Sequence, residues 1–421
     1  MADLLLVEVD RESKNEERVN VPPLGLAYIA AVCEEAGFSV EIIDLNIQKD
    51  LGRVIENASV VGVSFYTHNY DRALSVLDKA KKKKKFVIAG GPHATPLYRD
   101  VLADGFDAVV RGEGEYPILK LLTQDGDPSG IKGLAYHENG RTVVKGVWRV
   151  KDLDTLPLPA RHLLELEKYS FPGALATSRG CSYNCIFCAS RNQSGTLRLR
   201  SAKSVVEEVL WLRENNMDSF LVIDPNFAYS KRRLLEICDG IMGLGLTWFS
   251  ELRLDHMDDE VVEAMGNAGC KVVRFGIESG SQRVIDVIKK DLSLENAERT
   301  VGKFIENGIT PVCGFMIGHP SETKKDFKAT IVLAEKIRKL GGEVTFAVQT
   351  PYPGTYIHRN AGKLGIDILH QNWSSYHHLE PVMRTRAFGA RELREMLETS
   401  LDSLGEKTKR RSFRSIAQNR A

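Results

Sequence analysis

The sequence predicts an α/β protein: a doubly wound parallel sheet first, a partial (β/α)6 barrel second, and a small helical region at the C-terminus. Three observations predict it. Short apolar runs recur along the 421-residue chain, and they are continuous rather than alternating, as in strands buried on both faces. Helix signals separate consecutive runs, which implies parallel strands joined by right-handed crossovers. A proline-bearing stretch, DLDTLPLPARHLL, divides the chain into two such series.

LLLVEV (Leu4 to Val9) reads as the opening strand, and Leu24 to Glu35 as a helix that ends near Gly37. VEIIDL (Val40 to Leu45) and VVGVSF (Val60 to Phe65) are the next strands, followed by a helix from about Asp71 to Lys82. FVIAGG (Phe86 to Gly91) and AVVRG (Ala108 to Gly112) complete the parallel set. Gly133 to Val147 reads as a hairpin turning at Glu138-Asn139-Gly140. The first domain therefore spans 1–150, with a linker over 151–170. The second spans 171–365, with strands near 175–179 and at Phe220 to Asp224, Thr247 to Leu252, Val272 to Ile277, Thr310 to Ile317 and Glu343 to Gln349. That rhythm fits a partial barrel. Residues 366–421 read as polar and helical.

Lys and Arg number 57 against 56 Asp and Glu, a net charge of +1. This balance excludes a protein built to coat nucleic acid or anionic membrane. No apolar run approaches the roughly 18 residues of a membrane span. The N-terminus, MADLLLVEVDRESK, lacks the basic flank and long apolar core of a signal peptide. Of seven cysteines, Cys33, Cys238, Cys270 and Cys313 are scattered in apolar surroundings and read as core thiols. The pattern is no disulfide framework and points to a reducing compartment, hence a cytoplasmic location. Lys81 to Lys85 read as the solvated end of a helix. Lys407, Lys409, Arg410, Arg411 and Arg414 form a basic tail that is frayed or contacts a partner.

The other three cysteines, Cys181, Cys185 and Cys188, lie in SRGCSYNCIFCAS. Thiolates spaced Cys-x3-Cys-x2-Cys can hold three irons of a [4Fe–4S] cube and leave the fourth open. A zinc site usually wants paired two-residue spacings and a fourth ligand, and no second Cys pair or nearby His cluster supplies one. With Phe187 just before Cys188, the loop resembles the signature of radical S-adenosylmethionine (SAM) enzymes. The resemblance implies that the open iron binds SAM, that an electron from an external ferredoxin- or flavodoxin-type donor cleaves it, and that the resulting radical attacks an unactivated C–H bond. Later segments extend it. WFSELRLD places Glu251, Arg253 and Asp255 where the family's polar residues meet the cofactor. RFGIESGS places Glu278 and Ser279 at a strand's C-terminal end. GFMIGHPSET, with Gly318, resembles the family's strand that lets the adenine approach, and QTPYPGT, with Pro351, a proline turn of one branch.

The loops ending the first set of strands are rich in Gly, Pro and small polar residues. Doubly wound sheets bind ligands there. VNVPPLGLAY (Pro22, Pro23, Leu24, Gly25), SFYTHNYDRA (Tyr66, Thr67, His68, Asn69), AGGPHATPL (Gly90, Gly91, His93) and RGEGEYP (Arg111, Gly112, Glu113) resemble the Rossmann-like cobalamin-binding domain of B12-dependent radical SAM enzymes. One departure matters. Asp-x-His-x-x-Gly, whose histidine binds cobalt from below in other cobalamin proteins, is not in the sequence, and neither His68 nor His93 has that spacing. This implies base-off cobalamin approached by a neutral side chain such as Tyr66, His68 or Asn69.

Together these resemblances imply a methyltransferase that moves a methyl group from SAM, via methylcobalamin, to an unactivated carbon. Tyr356 and His358, after QTPYPGT, are expected to line the reaction cavity as catalytic residues. A branch that methylates a glutamine Cα of methyl-coenzyme M reductase is similar in size and layout, which makes a protein or peptide substrate one expectation. Methylases of small-molecule natural products and B12-dependent cyclases or rearrangement enzymes share the same motifs and remain alternatives. A methylthiotransferase would need a second cysteine trio, and the first domain has only Cys33. The intact trio argues against a non-catalytic cobalamin or redox sensor.

Overall fold

The computed structural model describes residues 2–10, 21–48 and 51–403. The basic tail from Lys407 to Arg414 lies outside them.

The first sheet has seven strands: β1 (Ala2–Glu8), β2 (Val40–Asp44), β3 (Ala58–Ser64), β4 (Phe86–Gly90), β5 (Ala108–Val110), β6 (Leu134–Glu138) and β7 (Arg141–Val144). Their spatial order is β2-β1-β3-β4-β5-β6-β7, parallel through β5 and antiparallel beyond it. Both faces are covered, which is why the strand runs are apolar without alternation. Leu4 and Leu6 face the helices Leu24–Glu35 and Glu115–Thr123, while Leu5 and Val7 face Tyr70–Lys82 and Tyr98–Ala103. The β6–β7 turn holds Asn139 and Gly140 at φ of 48° and 73°. A two-residue hairpin turn of type I′ needs positive φ at both positions, and Asn-Gly adopts it at least cost.

The second sheet is parallel, in the order β10-β11-β12-β13-β14, from β10 (Ser219–Val222), β11 (Thr247–Leu252), β12 (Cys270–Glu278), β13 (Thr310–Ile317) and β14 (Glu343–Val348). Helices cover its outer face. Four of them, starting at Ala202, Lys231, Asp259 and Lys324, are N-capped by Ser201, Ser230, Asp258 and Thr323, each accepting from the backbone three residues on. The barrel strand expected near 175–179 is reduced to one parallel bridge, Leu175 to Val222. Asp224 explains the loss. Its carboxylate takes the Thr177 amide at 2.7 Å, where a ladder would have continued. The chain then forms a short antiparallel pair, β8 (Ser178–Arg179) with β9 (Arg198–Leu199).

One further expectation needs correction. The C-terminal region is not purely helical. The antiparallel pair β15 (Ile366–Ile368) and β16 (Met383–Thr385) precedes the helix Ala390–Ser403. The 151–170 stretch read as a linker is packed against the second domain. Arg161 is buried within it, ion-pairs with buried Glu208, and donates to the Ala174 carbonyl at 2.8 Å. Glu208 also pairs with Arg200. One carboxylate between two guanidiniums leaves one positive charge over, and backbone carbonyls share it: Ala174 accepts from Arg161 and Ala176 from Arg200 at 3.1 Å, the extra hydrogen bonding that buried charges require.

The four scattered cysteines are buried free thiols. Burial pushes Cys33, Cys238 and Cys313 up to about 12. They are inert core residues at neutral pH. Lys81, at the end of its helix, pairs with Asp107 at 2.5 Å, and Lys82 with Asp78 at 2.6 Å. No helix among the described residues is long and apolar enough to cross a membrane.

Candidate active site between the two sheets

In the first sheet the strand order reverses beside β1, and ligands of doubly wound folds sit at such a point, outside the carboxyl ends of the strands. A cavity of about 430 Å³ lies there. Leu6, Ile88 and Val110 from the sheet and Ile29 and Ile118 from the helices give it an apolar slot. Its far wall comes from the second domain, through Ala176, Ser178 to Gly180, Ser190 and Ile223. One cavity thus touches the first sheet and, through Gly180, Ser190 and Ile223, the loops of the second domain.

Of the residues expected to bind the first cofactor, Pro22, Pro23, Leu24, Gly25, Tyr66, Gly90, Gly91, Gly112 and Glu113 line this cavity. A Cβ built on Gly25 would meet nothing within 4 Å, and one on Gly90 only the Val110 Cβ at 4.0 Å. Those two glycines leave a cradle that a large ligand can fill against bare backbone. Gly91 is different. Its φ is +97° and a Cβ would lie 2.6 Å from the Phe65 carbonyl oxygen, so the fold itself demands glycine there.

Thr67, His68, Asn69, His93 and Arg111 are not among the lining residues. Asn69 is a staple: its amide donates to the Val9 carbonyl at 3.0 Å and its oxygen accepts from the Tyr66 amide at 2.7 Å. Arg111 stacks on the Tyr98 ring, 4.3 Å from its centroid. No histidine stands among the lining residues. Of the three neutral side chains considered for the lower corrin face, only Tyr66 reaches the cavity.

His93 is buried among Phe65, Tyr70 and Trp373, with ring centroids 5.9, 4.5 and 5.2 Å away. Burial pushes its imidazole from 6.5 down to about 4. The unfolded chain then binds the extra proton between those values, so this group's stability is complete above 6.5 and is lost as pH falls toward 4. His93→Phe is expected to flatten that fall. Urea-unfolding midpoints measured at neutral and mildly acidic pH should differ less in the variant than in the wild type.

Glu113 lines the cavity but is held by arginines. It pairs with Arg198 at 2.6 Å and Arg179 at 3.3 Å, while Glu115 pairs with Arg179 at 2.8 Å. Arg179 also lies over the Tyr28 ring, 5.0 Å from its centroid. Sequence reasoning missed this network. Its signal was an arginine directly before the Gly180-Cys181 turn. Gly180 itself has φ +82° and would place a Cβ 2.4 Å from the Thr196 carbonyl oxygen.

Cys181, Cys185 and Cys188 lie on the loop that follows, all half-buried. Backbone bonds fix it at both ends: Cys181 N to Gly195 O at 3.2 Å, Ile186 N to Ile288 O at 3.0 Å, and Ile357 N to Ile186 O at 3.1 Å. Burial pushes the Cys185 thiol up to about 11, against the pull of Lys290. A thiolate there needs strong positive charge, which bound iron supplies. Among the described residues no three His, Cys, Asp or Glu side chains converge as a mononuclear metal demands. A cube suits three separated thiols, since each bonds a different iron.

Beside the loop, Arg253 lies 3.5 Å from the Tyr183 ring centroid and donates to Asp255 at 3.0 Å and to the Asp291 carbonyl at 2.9 Å. Glu278 and Lys290 form a buried pair at 2.9 Å, with Glu278 at φ +71°. Such a backbone conformation costs about 1–3 kcal/mol and collects at functional sites. Ser279 bonds Thr330 at 3.2 Å. Gly318 donates to the Glu322 carboxylate at 2.6 Å, and burial pushes that carboxyl up to about 7. Phe187 sits 6.1 Å from the His319 ring. Pro351 is buried in its turn. Glu322 Oε1 and Asn226 Nδ2 are buried with no hydrogen-bond partner. Unused polar capacity of this kind suits a ligand with amine, carboxylate and hydroxyl groups.

Tyr356 and His358 do not line the cavity. Thr355 caps their short helix and Ile357 turns inward, which leaves Tyr356 exposed near Lys289.

A doubly wound sheet whose ligand cradle reaches Gly180 and Ser190, on either side of a three-cysteine loop whose thiols themselves stand outside the cavity lining, defines a two-cofactor protein, B12 on one side and iron–sulfur on the other. The comparisons agree. The B12 binding domain family matches residues 18–122 and the Radical SAM superfamily residues 175–334. An uncharacterized methyltransferase of Pyrococcus horikoshii is 33% identical, covering 94% of this chain and 90% of its own length. The cytidylyl-2-hydroxyethylphosphonate methyltransferase of Streptomyces wedmorensis is 30% identical over 75% of this chain and 73% of its own. The structure of TsrM, a radical SAM methyltransferase from Kitasatospora setae with cobalamin and a [4Fe-4S] cluster bound, shares the fold. It superposes with a TM-score of 0.75 at 17% identity, over 96% of this chain and 88% of that one. The chain belongs to the cobalamin-dependent radical SAM methyltransferase family. Its cofactors are a [4Fe–4S] cluster, SAM and cobalamin.

Proposed function

We propose that the enzyme methylates an unactivated carbon of a peptide substrate, a glutamine Cα such as that of methyl-coenzyme M reductase being the specific candidate. The observation that supports a carbon target is the cavity that runs from the first-sheet cradle to Gly180 and Ser190 beside the cysteine loop, because the substrate atom has to meet both cofactors. When bound, the cofactors supply a methyl group and a hydrogen-abstracting radical. The protein's part is placement. Cys181, Cys185 and Cys188 hold the cluster, with Phe187 packed behind it. Arg253, Glu278, Ser279, Gly318 and Pro351 surround the SAM site. Gly25 and Gly90 bring backbone to the corrin, Pro22, Pro23, Leu24 and Tyr66 wall it, and Gly112, required by the fold at φ +103°, shapes the rim. The half-buried cysteine loop leaves access for a ferredoxin- or flavodoxin-type electron donor.

Methylation of a small molecule is the second reading, favoured by the substrate for which the Streptomyces relative is named. Anaerobic incubation with deuterated-methyl SAM decides between them. Mass spectrometry should find one labelled methyl group on a glutamine-containing peptide. Label only on a small molecule would establish the second reading. A substrate that loses hydrogen without gaining a methyl group would indicate cyclisation, as named for the anaerobic magnesium-protoporphyrin IX monomethyl ester cyclase of Rubrivivax gelatinosus, 26% identical over 89% of this chain and 72% of its own.

A further inference from the structure

Strand β12 is the middle strand of the barrel sheet, and a charge, Arg274, sits inside its apolar run VVRFGI. Val273, Phe275 and Ile277 are fully buried against the outer helices. On the opposite, concave face, Val272 closes the base of the lumen together with Phe171, Phe249 and Val312. The next residue on that face is Arg274. It stands in register with Glu251 of β11. Their side chains approach to 3.6 Å, Nη1 to Oε1, with 50% and 51% of their surfaces accessible.

A half-accessible charge on a strand flanked by strands on both sides means open space above it. Gly276 and Gly314, paired across β12 and β13, form the layer above. A Cβ on Gly314 would meet only ordinary contacts, at 3.5 and 3.6 Å. On β10 the same face runs out through Leu221, which packs on the base, to Ile223, which lines the chamber. Ile223 thus stands on the same face between the cavity and the ion pair, while over Gly276 the Glu278–Lys290 pair occupies the space, 2.2 Å and 3.0 Å from where a Cβ would lie.

We propose that Glu251 and Arg274 form the substrate-reading floor of the barrel and take a carboxamide. The inference deepens the methyltransferase reading above and rests on the barrel being its substrate chamber. A guanidinium donates five N–H bonds and accepts none, while a carboxylate only accepts. Their separation of 3.6 Å is beyond hydrogen-bonding range. Both groups therefore keep capacity for a ligand. A carboxamide presents an acceptor beside a donor: its carbonyl accepts from Arg274 and its N–H donates to Glu251. The pair is neutral overall. A lone carboxylate meets repulsion from Glu251, and a lone ammonium meets it from Arg274. Arg253 does not share the task, since Asp255 and the Asp291 carbonyl occupy it. Glu251 thereby takes a different role from the cofactor-binding one the resemblance implied.

Three probes of one size test this: butyramide, butyrate and butylamine, by saturation-transfer NMR on the reconstituted protein. The wild type should bind butyramide best. Glu251→Gln should shift the butyrate-to-butylamine preference about fivefold toward butyrate, and Arg274→Gln about fivefold the other way, the scale that half-exposed ion pairs allow. If Arg274→Gln fails to fold, Arg274→Lys replaces it, and with its charge kept it should preserve the wild-type order while weakening butyramide. The same probe order in every protein would overturn the proposal. Cobalamin uptake and cluster absorbance of the wild type, read on the same samples, judge the underlying methyltransferase reading separately. Intact cofactors with an unmoved probe order defeat the carboxamide site alone.

Discussion

Replacing Cys181, Cys185 or Cys188 with Ala is expected to abolish the iron–sulfur absorbance of reconstituted protein, and release of 5′-deoxyadenosine with it. Each thiolate is taken to hold one iron, and the loop offers no substitute. The other four cysteines are buried elsewhere in the two cores. Cys313→Ala serves as the contrast. Its thiol is a core hydrophobe on β13, so the variant should lose about 1–2 kcal/mol of stability and keep its cluster. Absorbance near the cluster band and single-turnover deoxyadenosine release, measured side by side, check both outcomes. A Cys185→Ala protein with full turnover would remove the loop from the mechanism.

The second large effect is expected at adjacent glycines with opposite consequences. Gly90→Leu places its side chain in open cavity, with no protein atom closer to the Cβ than Val110 at 4.0 Å. The variant should fold normally and fail to take up cobalamin. Gly91→Ala should do the reverse. At φ +97°, with the Phe65 carbonyl oxygen 2.6 Å from the new Cβ, it costs stability on the order of 1–3 kcal/mol. The fraction that folds keeps its cavity. Thermal midpoints and cobalamin retained after gel filtration separate the two. Normal cobalamin uptake by Gly90→Leu would move the ligand out of this cradle.

Much of this arrangement was legible from residue pattern. Fully apolar runs such as LLLVEV announced strands covered on both faces, because Leu4 and Leu6 serve one helical layer and Leu5 and Val7 the other. Asn139-Gly140 announced its hairpin because positive φ at both positions is open to few residues. The missing barrel strand was not legible. ALATS looks like a strand, and only the three-dimensional approach of Asp224 shows that a side chain takes over the Thr177 amide. Candidate site residues divided the same way. Glycines facing a ligand and glycines required by the fold look alike in sequence, so Gly90 and Gly91 were grouped although their surroundings differ. His93 and Asn69 sat in the right loop yet turn inward, one into an aromatic box and the other into a backbone staple. Arg274 was visible inside VVRFGI as a charge in an apolar run. Its meaning needed the register with Glu251.

The arginine–glutamate network at the chamber wall bears on how the molecule comes apart. Arg179 stands two residues before Cys181, and its carboxylate partners Glu113 and Glu115 belong to the first domain. Parting the domains would strand three largely buried charges at once, a penalty of several kcal/mol per uncompensated ion. Melting of either half therefore drags the other with it, and calorimetry should record one heat-absorption peak rather than two. The cysteine loop is then only as rigid as the sheet across the chamber. A substitution that loosens the first domain would show up, at a distance, as a cluster that assembles poorly.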